Sequence, residues 1–166
     1  MSDAIALVAL TAADLDAYLA NAPERTRRWV AQQQFKALPL THCIVPNAEG
    51  GIAEVLAGVA NGHDLNTLAH LPMLLPPGNY TLCDRGLPLD AAKVALGFAL
   101  GSYQFSRYKT PRREPARLLA PLGQYLDEVA ALAQATTRTR DLVNTPTEHM
   151  GPDELGDHAR VIATRF

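Results

Sequence analysis

A chain of 166 residues that is 48% apolar and only 19% charged has the material for a real hydrophobic core and does not fit the composition of a disordered segment. Its 15 basic and 17 acidic side chains leave a net charge of −2, so the strongly basic surface that nucleic acid requires is missing. Two cysteines are too few to staple a secreted fold, no apolar run nears the ~20 residues that span a bilayer, and Met1-Ser2-Asp3 is no basic signal start. The expectation is a soluble, cytoplasmic protein with reduced thiols and neither a nucleic-acid nor a membrane partner.

The chain opens on the apolar run 4–10, of strand length and suited to a strand covered on both faces. Thr11 offers an N-cap oxygen to a helix over 12–20, and Asn21 and Pro23 close it. A second helix is expected over 24–36, lying on the surface because its arginines and glutamines outnumber Trp29, Val30 and Phe35. Residues 40–45 and 52–59 read as a hairpin about the turn Asn47 to Gly51. A short helix capped by Asp64 is expected between Asn61 and Leu75, followed by a turn at Pro76-Pro77-Gly78-Asn79 and a strand over 80–83.

The clearest helix runs from Asp90, its cap, to Phe105, apolar almost all round and therefore largely buried. Gly97 and Gly101 fall on one face of it, where a neighbouring backbone can approach closely. Residues 109–115 read as an exposed loop, 117–120 as a strand and 124–142 as a long helix with acids near its start and arginines near its end. Pro152-Asp153-Glu154 opens a last helix in the favoured order, proline first and acids in the first turn. Alternating strands and helices make an α/β domain over 1–121, a linker helix over 122–143 and the start of something else over 144–166.

Two segments carry a family resemblance. Arg140-Asp141-Leu142-Val143-Asn144-Thr145-Pro146, followed by Met150-Gly151-Pro152, resembles the entry into the catalytic domain of the leucyl (cytosol) aminopeptidases. Gly101-Ser102-Tyr103-Gln104-Phe105-Ser106-Arg107-Tyr108-Lys109 resembles a stretch of that family's N-terminal region. The resemblance implies a macro-domain-like N-terminal α/β domain with a mixed sheet flanked by helices, then a linker helix and a catalytic domain that begins at about residue 144. It also implies a parent enzyme that removes N-terminal amino acids from peptides with two divalent metal ions, zinc or manganese, and that assembles as a hexamer. This chain would take an architectural part, with its own catalytic domain and further copies as partners.

The residues themselves display no chemistry. A two-metal hydrolase needs several converging carboxylates, yet His42, His63, His70, His149 and His158 are dispersed and only His63-Asp64 pairs a histidine with an adjacent acid. The family's Asn-Thr-Asp-Ala-Glu-Gly-Arg-Leu signature does not occur, and Asn144-Thr145-Pro146-Thr147-Glu148 departs from the family's Asn-Thr-Pro-Ala-Asn. No catalytic, cofactor-binding or metal-binding residue is therefore expected in this chain. His42-Cys43 would point to opposite faces of a strand, too poorly placed to share a proton. Arg107, Lys109, Arg112, Arg113 and Arg117 form the one basic concentration, either a solvated loop or, with Tyr103 and Tyr108 beside it, an interface. The alternative to an aminopeptidase domain is a stand-alone macro-like α/β module binding a nucleotide or a protein.

Overall fold

The computed structural model describes residues 4–83 and 85–164. Five strands form one mixed sheet in the order β2-β3-β1-β4-β5: β1 (Ile5–Leu10), β2 (His42–Pro46), β3 (Ile52–Gly58), β4 (Asn79–Leu82) and β5 (Arg117–Leu119). β1 lies at the centre, parallel to both β3 and β4, β5 runs parallel to β4, and β2 pairs antiparallel with β3 as the expected hairpin. Asn47 ties the hairpin turn, its Oδ1 accepting from the backbone of Glu49 and Gly51, and Gly50 supplies the positive φ that the turn requires.

Alternation along β1 divides the core. Leu7 and Ala9 face one side with Val55, Ala57, Tyr80, Val94 and Phe98; Val8 and Leu10 face the other with Cys43, Val45, Leu56 and Val30. The second side is roofed by α1 (Leu15–Ala20) and α2 (Glu24–Gln32), and the first by α3 (Ala91–Gly101) together with the segment 65–75. Both faces of β1 are thus covered, which is why its sequence is uninterruptedly apolar. A further helix, α4 (Leu126–Asn144), packs against α3, and α5 (Pro152–Ala163) follows it.

Four expected helices differ in the structure. Residues 61–75 form successive turns rather than a helix: Asn61 and Asp64 side chains take up the backbone N–H groups of His63, Asp64 and Asn66 and so compete with helical pairing. α2 stops at Gln32 instead of 36, because the chain turns sharply beneath the sheet edge with positive φ at Gln34, Ala37 and Leu40. α3 ends at Gly101 instead of 105, and the residues after it run irregularly toward α4. The α1 helix begins at Leu15 with Asp14 as its cap, and Thr11 caps the preceding turn by accepting from the Asp14 backbone.

The shared face of Gly97 and Gly101 does receive a backbone, that of the turn-rich segment. A Cβ on Gly97 would collide with the Leu65 carbonyl oxygen, and one on Gly101 with that of Ala69. G97A should therefore lower stability by about 2 kcal/mol through overpacking, measured by urea unfolding. Gly156, in mid-helix on α5 with nothing near its missing Cβ, is the control: G156A should be neutral or gain up to about 1 kcal/mol.

Candidate functional site

The two segments singled out by resemblance meet in space. Tyr103, just past the end of α3, donates its hydroxyl to Asp141 Oδ1 at 2.8 Å and accepts from Asn144 Nδ2 at 3.1 Å. Arg140 donates to the Leu100 carbonyl at 2.6 Å, and its guanidinium lies over the Tyr103 ring, 5.4 Å from the centroid. Arg107 reaches Thr145 Oγ1 at 3.4 Å, and Tyr108 shares a hydrogen bond of 2.8 Å with His149 Nδ1 while the two rings stack. The Leu100 carbonyl belongs to the last turn of α3, which no intrahelical donor serves, so Arg140 caps α3 while fastening α4 to it.

This clasp gives the basic segment a definite structure. Arg107 is bound into it, Arg113 reaches across to the Leu75 carbonyl, and Arg117 pairs with Glu114 at 3.8 Å; Lys109 and Arg112 are exposed. Beside the clasp, between 105–107, α4 and α5, lies an open groove of about 680 Å³ in which Phe105, Leu142, Met150 and Val161 meet Arg138 and His158. Val143, Leu155 and Val161 are exposed apolar side chains on α4 and α5.

A second polar cluster carries no motif that would announce it. Glu54, 5% exposed, stands in the middle of the apolar run of β3. It accepts from Tyr18 at 2.9 Å, Thr26 at 3.3 Å and Arg85 at 2.8 Å, bringing together α1, α2 and the loop after β4. A buried carboxylate is tolerated only when paired and hydrogen-bonded in this way. Burial, and then the neighbouring Glu54 charge, hold the Tyr18 phenol well above its usual range, so it remains a donor.

The remaining sequence candidates are scattered. His42 pairs with Ala57 across the hairpin while Cys43 lies in the opposite core, so the two side chains do take opposite faces; burial raises the Cys43 thiol above its usual value. Cys43 and Cys83 are not joined as a disulfide. Among the described residues no group of three or more His, Cys, Asp or Glu side chains could hold a metal ion, so the residues present do not fit the metal pair of a hydrolytic centre. Nor is any described helix long and apolar enough to cross a membrane.

The structure is thus a mixed α/β sheet clasped to a long helix, with no converging ligand set among the described residues. The profile of the M17 aminopeptidase N-terminal domain matches residues 5–121, and the chain belongs to that family. The "Probable cytosol aminopeptidase" of Rhodococcus jostii is 32% identical over 91 residues, covering 46% of this chain and 18% of the relative. The crystal structure of a cytosol aminopeptidase from Coxiella burnetii superimposes with a TM-score of 0.90 at 30% identity, over 100% of this chain and 36% of its own. The bottromycin maturation enzyme BotP, in complex with Mn, shares the fold with a TM-score of 0.70 at 23% identity, over 99% of this chain and 37% of its own. The chain thus spans about a third of the length of the solved relatives.

His42 and His70 are half-buried. Both ring nitrogens of His70 are buried without a hydrogen-bond partner among the described residues. Desolvation, and then repulsion from His42, lower the His70 pKa below its ordinary 6.5, and desolvation lowers that of His42. In the unfolded chain each histidine therefore binds protons more readily, so their contribution to stability is full above pH 6.5 and is lost as pH falls through that value toward the folded pKa. Thermal unfolding of H70L should show a shallower loss of Tm than the parent chain between about pH 7 and pH 5, whatever its absolute Tm.

Proposed function

We propose that this chain is the non-catalytic front of a leucyl aminopeptidase whose catalytic portion begins at about residue 144, and that its work is architectural. In this reading 1–121 form the N-terminal α/β domain, 122–143 the linker helix and 144–166 the first elements of the catalytic domain. The observation that carries it is the clasp. The segment that resembles the family's N-terminal region and the segment that resembles its catalytic entry hold each other through Tyr103–Asp141, Arg140–Leu100 and Tyr108–His149.

Such a clasp fixes the direction in which the chain leaves the α/β domain. It is held from both ends: Arg140 and Asp141 sit in the last turns of α4, while Thr145 and His149 lie beyond it. The groove beside α5 and the exposed Val143, Leu155 and Val161 supply apolar surface for the catalytic portion to cover. In the parent, two divalent metals, zinc or manganese, would activate water against the scissile carbonyl of an N-terminal residue; none of this chain's residues takes that role. A hexameric, cytoplasmic parent belongs to the same reading.

Reading the gene in frame beyond the Phe166 codon, and assaying both products on leucine p-nitroanilide with Mn²⁺ or Zn²⁺, tests the proposal. The expected outcome is a frame with the Asn-Thr-Asp-Ala-Glu-Gly-Arg-Leu type ligands, a longer product that hydrolyses the substrate and a 166-residue chain that does not. Metal-dependent hydrolysis by the 166-residue chain itself, or a frame without those ligands, would overturn it.

A further inference from the structure

The order of the sheet reverses at β1. From β1 the chain passes through α1 and α2 to β2 and β3 on one side; from β4, the strand on the other side of β1, it passes through α3 to β5, away from β1. The loops leaving the carboxyl ends of β1 and β4 therefore diverge, and a crevice opens between them, the place where open α/β sheets bind ligands. A crevice of about 420 Å³ lies there, lined on one side by residues 10–22 and on the other by residues 85–88. That volume is toward the low end of the ~300–1,000 Å³ typical of small-molecule sites.

Its walls are held in place beforehand. Leu87 donates to the Ala9 carbonyl at 2.8 Å, and Gly86 is so close to that carbonyl that no Cβ would fit. On the far side of the loop, Asp90 donates to the Gly62 carbonyl at 2.9 Å. Tyr18 and Arg85, one on each wall, are both tied to buried Glu54.

Among the described residues the lining carries two opposite charges, Asp14 and Arg85. Asp14 Oδ2 accepts from the Thr11 backbone and hydroxyl, while Oδ1 has no hydrogen bond among the described residues. Arg85 uses Nε toward Cys83 and Nη2 toward Glu54, is about half exposed, and makes no hydrogen bond through Nη1 to a described residue. A purely anionic ligand would face Asp14 with Glu54 behind it, and a purely cationic one would face Arg85. A small molecule with both charges would satisfy the two walls, and Ala17, Ala22 and Leu87 leave apolar room for the rest of it.

We infer that the crevice between the β1 and β4 loops binds a free α-amino acid with an apolar side chain, its carboxylate on Arg85 and its ammonium on Asp14. This goes beyond the architectural reading. Its failure would leave that reading intact, because binding is measured on a chain to which no hydrolytic residue is assigned.

The test is a titration of the 15N-labelled chain with L-leucine, N-acetyl-L-leucine and L-leucinamide, followed by amide shifts. L-Leucine should produce saturable shifts centred on residues 10–22 and 85–88, and each analogue, lacking one charge, should bind at least about tenfold more weakly. A17W, which places a ring on an exposed position of α1 at the crevice wall, should abolish the leucine shifts while leaving Tm unchanged. Absence of saturable shifts up to about 50 mM leucine, or equal binding of the blocked analogues, overturns the inference. The analogue comparison decides the matter even if A17W fails to fold.

Discussion

A helix end leaves its last carbonyls without partners, and the way α3 meets that need organises the C-terminal half of this protein. Arg140 of α4 donates to the Leu100 carbonyl while Tyr103, just beyond the same helix end, donates to Asp141 on the next position of α4. The first bond alone would let α4 pivot; the second, with the guanidinium against the Tyr103 ring, opposes rotation. Because α3 is itself seated on the sheet through Val94 and Phe98, the clasp transmits the orientation of the α/β core to α4 and to whatever α4 leads into. Packing alone would say less, since among the α4 residues only Val129 is buried.

Much of this was legible in the sequence, and for physical reasons. A continuous apolar run marked β1, and one broken only by Glu54 marked β3, because the strands are covered on both sides, and Asn47 to Gly51 marked the hairpin because the turn needs a positive φ at Gly50. The pair Gly97 and Gly101 pointed to close backbone approach, and the approaching backbone is the very segment that was expected to be a helix. There the expected short helix capped by Asp64 does not form. Leu68, Leu71 and Leu75 are all buried in the core beneath α3, but Asn61 and Asp64 hold the local backbone in turns, so burial came without helical pairing.

The polar sites divide in the same way. The two family-like segments were visible as words in the sequence, yet nothing in their spacing, almost 40 residues apart, said that they touch; Tyr103 and Asp141 find each other only through the fold. Glu54 was hidden for the opposite reason. One acid within an apolar strand has no local partner, and its stabilising donors come from positions 18, 26 and 85, which only the crossing of α1 and α2 over β3, together with the loop after β4, brings to it. A lone charge in an otherwise buried strand is itself a signal that such donors must exist.

Amide hydrogen exchange on the 166-residue chain and its R140M variant tests the clasp most directly. If the clasp joins α4 to the core, α4 is protected in the parent chain, and R140M accelerates exchange across 126–144 and in the last turn of α3 by about tenfold while β1 and β3 keep their rates. Exchange across α4 as fast as in a free peptide, or protection that R140M leaves unchanged, would contradict the account.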